Sequence, residues 1–237
     1  MSCTLLNVFY ATTRNANEII LAKHFIHDPT HLVNTALLSI PHTNPSVQCD
    51  IANKIIYRKN GTSQVSIVSG GGSGHEPSFA SFVGAGLLSG AVAGTIFASP
   101  SAEQIRRCIL HRVQKDKGVL VIVMNYTGDV LNFGMAVEKA RAAGIEVDMV
   151  VVGDDTGVGR AKGGKVGRRG IAGTVLVQKI AGALAAKGYV SKSRKTLVKV
   201  SPCRRGWMQD RGYLHRETSD TPLCFSATRD SSTGKLT

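Results

Sequence analysis

The residues best equipped for chemistry sit in one short run, Ser69–Pro77, which reads SGGGSGHEP. His75 brings an imidazole, and Gly72, Ser73 and Gly74 immediately precede it. Four of the five residues from Gly70 to Gly74 are glycines, which lets a backbone turn tightly and approach a ligand without interference from Cβ atoms. An apolar lead-in, Val65-Ser66-Ile67-Val68, and a following helix-like run with Pro77 near its first turn place His75 where a strand is expected to become a helix. At such a junction free backbone N–H groups and the positive end of a helix dipole favour an anion or a polar ligand. Neither standard nucleotide motif is present: His75-Glu76 follows Gly74 where a P-loop needs Lys-Ser/Thr, and the last position of G-x-G-x-x-G falls on His75 or Pro77. The competing reading is a glycine-rich turn that carries a hydrogen-bonded surface histidine.

The elements that must position these residues follow from hydrophobic patterning. Val119–Met124 (VLVIVM) is apolar at every position, the pattern of a parallel strand covered on both faces. Asp50–Tyr57, Val65–Ser69, Ala91–Phe97 and Glu146–Val152 are further strand candidates, and Arg58–Gly61 carries an Asn-Gly turn signal between the first two. Helices are expected near residues 29–40, over Ser78–Leu88, from a capping box at Ser101 and Gln104, after Asn125–Asp129 through Arg141 with Gly144 closing it, and over Ile171–Lys187 with Gly188 closing it. The alternation argues for an α/β fold, a doubly wound and mostly parallel sheet with helices on both faces. Ligands of such sheets bind at the carboxyl ends of the strands. The loops Gly70–Glu76, Ala98–Ser101, Asn125–Asp129 and Gly153–Arg169 all fall there, so His75 and Asp129 are expected to share one site.

Composition bounds the remaining choices. The 237 residues are 43% hydrophobic and 5% aromatic, enough to bury a real core. No apolar run approaches the roughly 18 residues of a membrane span, and no secretory leader is recognised at the start. The five cysteines are scattered without a CxxC pair and read as reduced thiols of a cytoplasmic protein. His24, His27 and His31 lack acidic or thiolate partners at useful spacing, so no metal site is assigned. The net charge of +13 comes entirely from residues 160–237, since residues 1–159 carry 12 basic and 12 acidic side chains. A basic third raises nucleic-acid binding as an alternative, but no nucleic-acid motif accompanies it. The chain divides into a poorly defined extension (1–22), an α/β domain (23–188) and a basic tail (189–237) with too few apolar residues to offset its ordering entropy.

Residues 23–188 resemble the substrate-binding (DhaK-type) domain of dihydroxyacetone kinases, also called glycerone kinases. The resemblance is carried by SGGGSGHEP (69–77), GTIFASPS (94–101), NYTGDVLNFGMAVEKAR (125–141), VVGDD (151–155) and GGKVGRRGIAGTVLVQKIAGA (163–183). It implies phosphotransfer from ATP, with Mg, to a small ketose such as dihydroxyacetone, as in glycerol and ketose catabolism. It also implies roles: Gly72, Ser73 and Gly74 as ligand contacts, His75 as the general base on the substrate hydroxyl, and Asp129 as a hydrogen-bond acceptor for the same molecule. Three departures accompany it. Met124 stands where the family usually carries Lys, no SLDHCH-type segment with a ketose-anchoring histidine is recognised, and no nucleotide-binding helical domain is recognised. The resemblance breaks near Gly188, as expected of a truncated or frameshifted chain. The expected partner is a small ketose, with a homodimer carried as an option and neither membrane nor nucleic acid. A non-catalytic ketose sensor, or an inactive fragment, is the alternative function.

Overall fold

The computed structural model describes residues 29–61, 63–158 and 166–188. Its elements run in chain order as a 3-10 turn at Pro29–His31, α1 (Leu32–Thr43), β1 (Val47–Asp50), β2 (Ile55–Arg58), β3 (Ser66–Ser73), a 3-10 turn at Ala80–Phe82, β4 (Gly90–Ile96), α2 (Ala102–His111), β5 (Val119–Met124), α3 (Thr127–Ala142), β6 (Val147–Val152) and α4 (Gly173–Ala186). The six strands form one sheet in the order β1-β2-β4-β3-β5-β6. β4, β3, β5 and β6 are parallel neighbours, while β1 and β2 add an antiparallel hairpin at one edge.

Strand β5 shows why the sheet needs cover on both sides. Leu120 and Ile122 enter a core shared with α1, α4 and the segment around Phe79 and Val83. Val119, Val121 and Val123 enter the opposite core, built with α2 and α3. Alternate side chains of a strand point to opposite faces, so an unbroken apolar run marks a strand buried on both. The mostly parallel sheet with helices on both faces is therefore as expected.

Four local expectations are corrected. Asp50–Tyr57 is two strands, joined by a turn at residues 51–54 where Lys54 has φ +52°. The Asn60-Gly61 connector does not close a hairpin between β2 and β3, because β2 pairs with β1 and β4. Ser78–Leu88 holds only the short turn Ala80–Phe82, and its apolar residues Phe79, Val83 and Leu88 pack as an irregular strap on the sheet face. Gly84 and Gly86 weaken any helix there. Finally, the glycine run is strand rather than turn: β3 continues through Gly70, Gly71 and Gly72 to Ser73. A Cβ on Gly70 would lie 2.2 Å from the Val92 carbonyl oxygen of the neighbouring strand, so glycine here permits close approach of backbones. His24, His27 and the expected tail of 189–237 lie outside the described residues.

Candidate functional site

The four parallel strands bring their carboxyl ends to one edge of the sheet. The chain leaves β3 toward the face of α1 and α4, and leaves β5 through α3 on the other face. Neighbouring parallel strands whose connections depart to opposite faces open a crevice between their ends. His75 follows β3 and Asp129 lies in the first turn of α3, so the two are delivered to that crevice from opposite sides.

Asp129 is only 8% exposed. Its Oδ1 is buried with no hydrogen-bond partner, while Oδ2 would stand 3.7 Å from a Cβ placed on Gly71. Burial pushes the Asp129 carboxyl above the usual carboxylate range, against the opposing pull of the Ser99 hydroxyl and of the His75 imidazole. The imidazole is itself exposed and sits edge-on to the Phe97 ring, with centroids 5.2 Å apart and planes at 89°.

The loop contacts set the imidazole's position. Gly74 has φ +108°, a conformation that strains any residue with a Cβ. Its N–H donates to both Glu76 carboxylate oxygens at 3.1 Å. Ser73 Oγ donates to the Gly94 carbonyl at 3.0 Å, and Phe97 N–H donates to the Ser73 carbonyl at 2.7 Å. Ser73 thus ties β3 to β4 and its hydroxyl is committed within the protein. A Cβ on Gly72 would meet the Ala98 nitrogen at 2.8 Å, so the 97–99 loop packs directly against the glycine.

The loops after β5 and β6 are also stitched together. Asn125 Nδ2 donates to the carbonyls of Val166 (2.8 Å) and Arg168 (2.6 Å), and Arg169 donates to the Asn125 carbonyl at 3.2 Å. The Arg169 guanidinium lies 5.4 Å over the Tyr126 ring. Asp154 accepts hydrogen bonds from the N–H groups of Ile171 and Gly173, both at 2.7 Å, and so caps α4. Met124 is half-buried at the carboxyl end of β5 and packs into the core. Its thioether offers no hydrogen-bond donor.

Sequence reasoning singled out His75, Gly72, Ser73, Gly74 and Asp129, and the structure gathers them at one edge. It missed Ser99 and Phe97, which flank Asp129 and His75. Their sequence signals were the end of the predicted strand Ala91–Phe97, the loop Ala98–Ser101 after it and the GTIFASPS run that holds both. A cleft of about 170 Å³ between α1 and the glycine strand is lined by Gly71, Gly72, Ser73 and Glu76, with Leu37 and Ile40 opposite. His75 and Asp129 do not line that cleft.

A profile of the Dak1 domain matches residues 39–200. The chain belongs to the Dak1 domain family. The family match starts later than residue 23 and runs past Gly188. Among curated relatives of this Dak1 chain, dihydroxyacetone kinase 1 of Saccharomyces cerevisiae is 53% identical over 172 residues, covering 72% of this chain and 29% of the yeast protein. Among solved structures, the dihydroxyacetone kinase of C. freundii matches with a TM-score of 0.68 and 39% identity, over 75% of this chain and 33% of that one. The dihydroxyacetone kinase operon co-activator Dha-DhaQ matches with a TM-score of 0.67 and 37% identity, over 71% of this chain and 52% of that one. This Dak1 chain therefore spans about a third or less of the length of these dihydroxyacetone kinases.

Proposed function

We propose that this chain is a ketose-binding module of the dihydroxyacetone kinase type, taking dihydroxyacetone or a similar small ketose into the crevice between His75 and Asp129. The observation that carries this reading is the unpartnered buried Oδ1 of Asp129 in the crevice shared with His75. A buried acceptor without a donor is costly, and a ligand hydroxyl at that point would supply one. The backbone at Gly72–Gly74 would provide close, unobstructed contact, and a neutral imidazole nitrogen of His75 would accept the proton of the hydroxyl that becomes nucleophilic.

ATP and Mg enter through the relatives: one matched structure is the C. freundii kinase in complex with AMP-PNP and Mg2+. The described residues contain no group of three or more metal-ligating side chains and no phosphate loop, so they do not fit that group. A cytoplasmic setting goes with this reading, supported by the unpaired thiols Cys49 and Cys108; among the described residues no helix is long and apolar enough to cross a membrane. A homodimer is compatible with it.

A second reading, a ketose sensor without turnover, is favoured by the likeness to the operon co-activator and by Met124 in place of a donor. Calorimetric titration with dihydroxyacetone, repeated with ATP-Mg and a product assay, separates the two. Saturable binding that is lost in His75→Ala and Asp129→Asn supports the ketose site; phosphorylated product assigns the kinase and heat without product the sensor. Absence of binding to the folded wild-type chain rejects both.

A further inference from the structure

We infer that the opposite edge of the sheet carries a second binding site, for a phosphate group, free or on a small ester. There a cleft of about 150 Å³ opens between the end of β2, the starts of β3 and β4, and the end of α2. Four of its lining residues are cationic or can become so, namely Arg58, Lys59, His111 and Arg112, and none is acidic. They come from two separate stretches that only the fold brings together: Arg58 and Lys59 follow from the pairing of β2 with β4, and His111 and Arg112 from the end of α2 packed beneath.

Arg112 is held in place before any ligand arrives. Its Nε and Nη2 donate to Asp50 Oδ2 at 3.0 and 2.7 Å, and its guanidinium lies 5.4 Å over the Tyr57 ring. A planar guanidinium fixed on one side by a carboxylate and a ring keeps its remaining N–H groups for an anion at little further entropic cost. Asp50 also accepts from the Asn53 N–H and from Asn53 Nδ2, at 3.3 and 2.9 Å. Arg58, Lys59 and His111 have no ion-pair partner among the described residues.

Two carbonyls near the end of α2 are engaged within the protein, Cys108 by the Arg112 N–H at 3.0 Å and Leu110 by Lys115 Nζ at 3.1 Å, which offsets part of the negative end of the helix dipole there. A Cβ on Gly61 would lie 2.2 Å from Gln114 Cγ, so this glycine lets the 58–61 turn close down on the segment after α2. Clustered cations, Arg58 half-buried and Lys59, His111 and Arg112 exposed at the cleft mouth, together with a preset guanidinium are the chemistry that recognises phosphate. The site is remote from His75 and does not depend on the ketose reading.

The test is isothermal titration of the full chain with inorganic phosphate and with glycerol 3-phosphate, at fixed ionic strength. Saturable binding is expected, weakened at least tenfold in Arg58→Gln/Lys59→Gln, changed less than twofold in the charge-matched control Lys139→Gln/Lys179→Gln, and unchanged in His75→Ala. Binding of the ester alone assigns an ester, and equal binding of both assigns the free phosphate group. Circular dichroism establishes that the cleft variant is folded. The inference is overturned by no saturable binding of either probe, or by equal losses in the cleft and control variants, which would mean that the net charge alone attracts anions.

Discussion

Replacing Asp129 by Asn tests the site through two signals of opposite sign. Burial raises the carboxyl's folded-state pKa above 3.8. An acid whose folded pKa is raised contributes stability while protonated, fully present below its unfolded pKa and lost as pH rises through the folded value. Above that value the native state holds an incompletely compensated buried charge, which Asn removes. Thermal melts of the ligand-free chain should therefore coincide at low pH and diverge from about pH 4 upward, with Asp129→Asn the more stable at pH 7. Ligand binding should move the other way. A hydrogen bond to a charged acceptor contributes about 1.5–3 kcal/mol, so the variant should bind dihydroxyacetone roughly 10- to 100-fold more weakly, measured by calorimetry. A wild-type chain more stable than the variant at pH 7, or unchanged affinity in the variant, would refute the reasoning that this carboxylate is buried for a ligand and not for the fold.

Other substitutions probe what holds the site in place. Ser69 Oγ donates to the Ile122 carbonyl at 2.6 Å and accepts from Gln178 Nε2 at 2.9 Å, all in the core; Ser69→Ala should cost about 1–3 kcal/mol in denaturant unfolding, and Gln178→Leu added to it should recover part of that loss by removing the stranded amide. Ser101→Ala breaks the reciprocal cap with Gln104 and should cost about 1 kcal/mol, read as a lowered urea midpoint. Burial pushes the Cys108 thiol up to about 12 from 9.0; alkylation followed by peptide mass spectrometry should find it unmodified in the native chain at pH 8 and modified on unfolding. Because that folded pKa is raised, its contribution to stability should be present below about pH 9 and fall as pH rises toward 12, seen as a declining melting temperature.

Much of the architecture could be read from side-chain chemistry acting locally. The uninterrupted VLVIVM run announces a strand covered on both faces, and Ser101 with Gln104 announces a helix start, because burial and capping depend on neighbours a few residues away. That the loops carrying His75 and Asp129 reach one edge was legible at one remove, since parallel strands must end on one edge. Glycine defeated the same reading: with no side chain it carries no periodicity, so the buried end of β3 passed for a turn. Only its neighbours Val92, Phe79 and Phe133 explain those glycines. The segment after Pro77 was misjudged because its small residues suit a helix packed close to a sheet, whereas Phe79, Val83 and Leu88 pack on the sheet as an irregular strap. Likewise Asp154 caps α4 from 17 residues before Ile171, and the burial that leaves Asp129 Oδ1 without a partner arises from chains folded around it. Patterns of adjacent residues therefore determined which elements form and which loops reach the rim, while distant contacts decided the conformation, charge state and spare bonding capacity of the groups placed there.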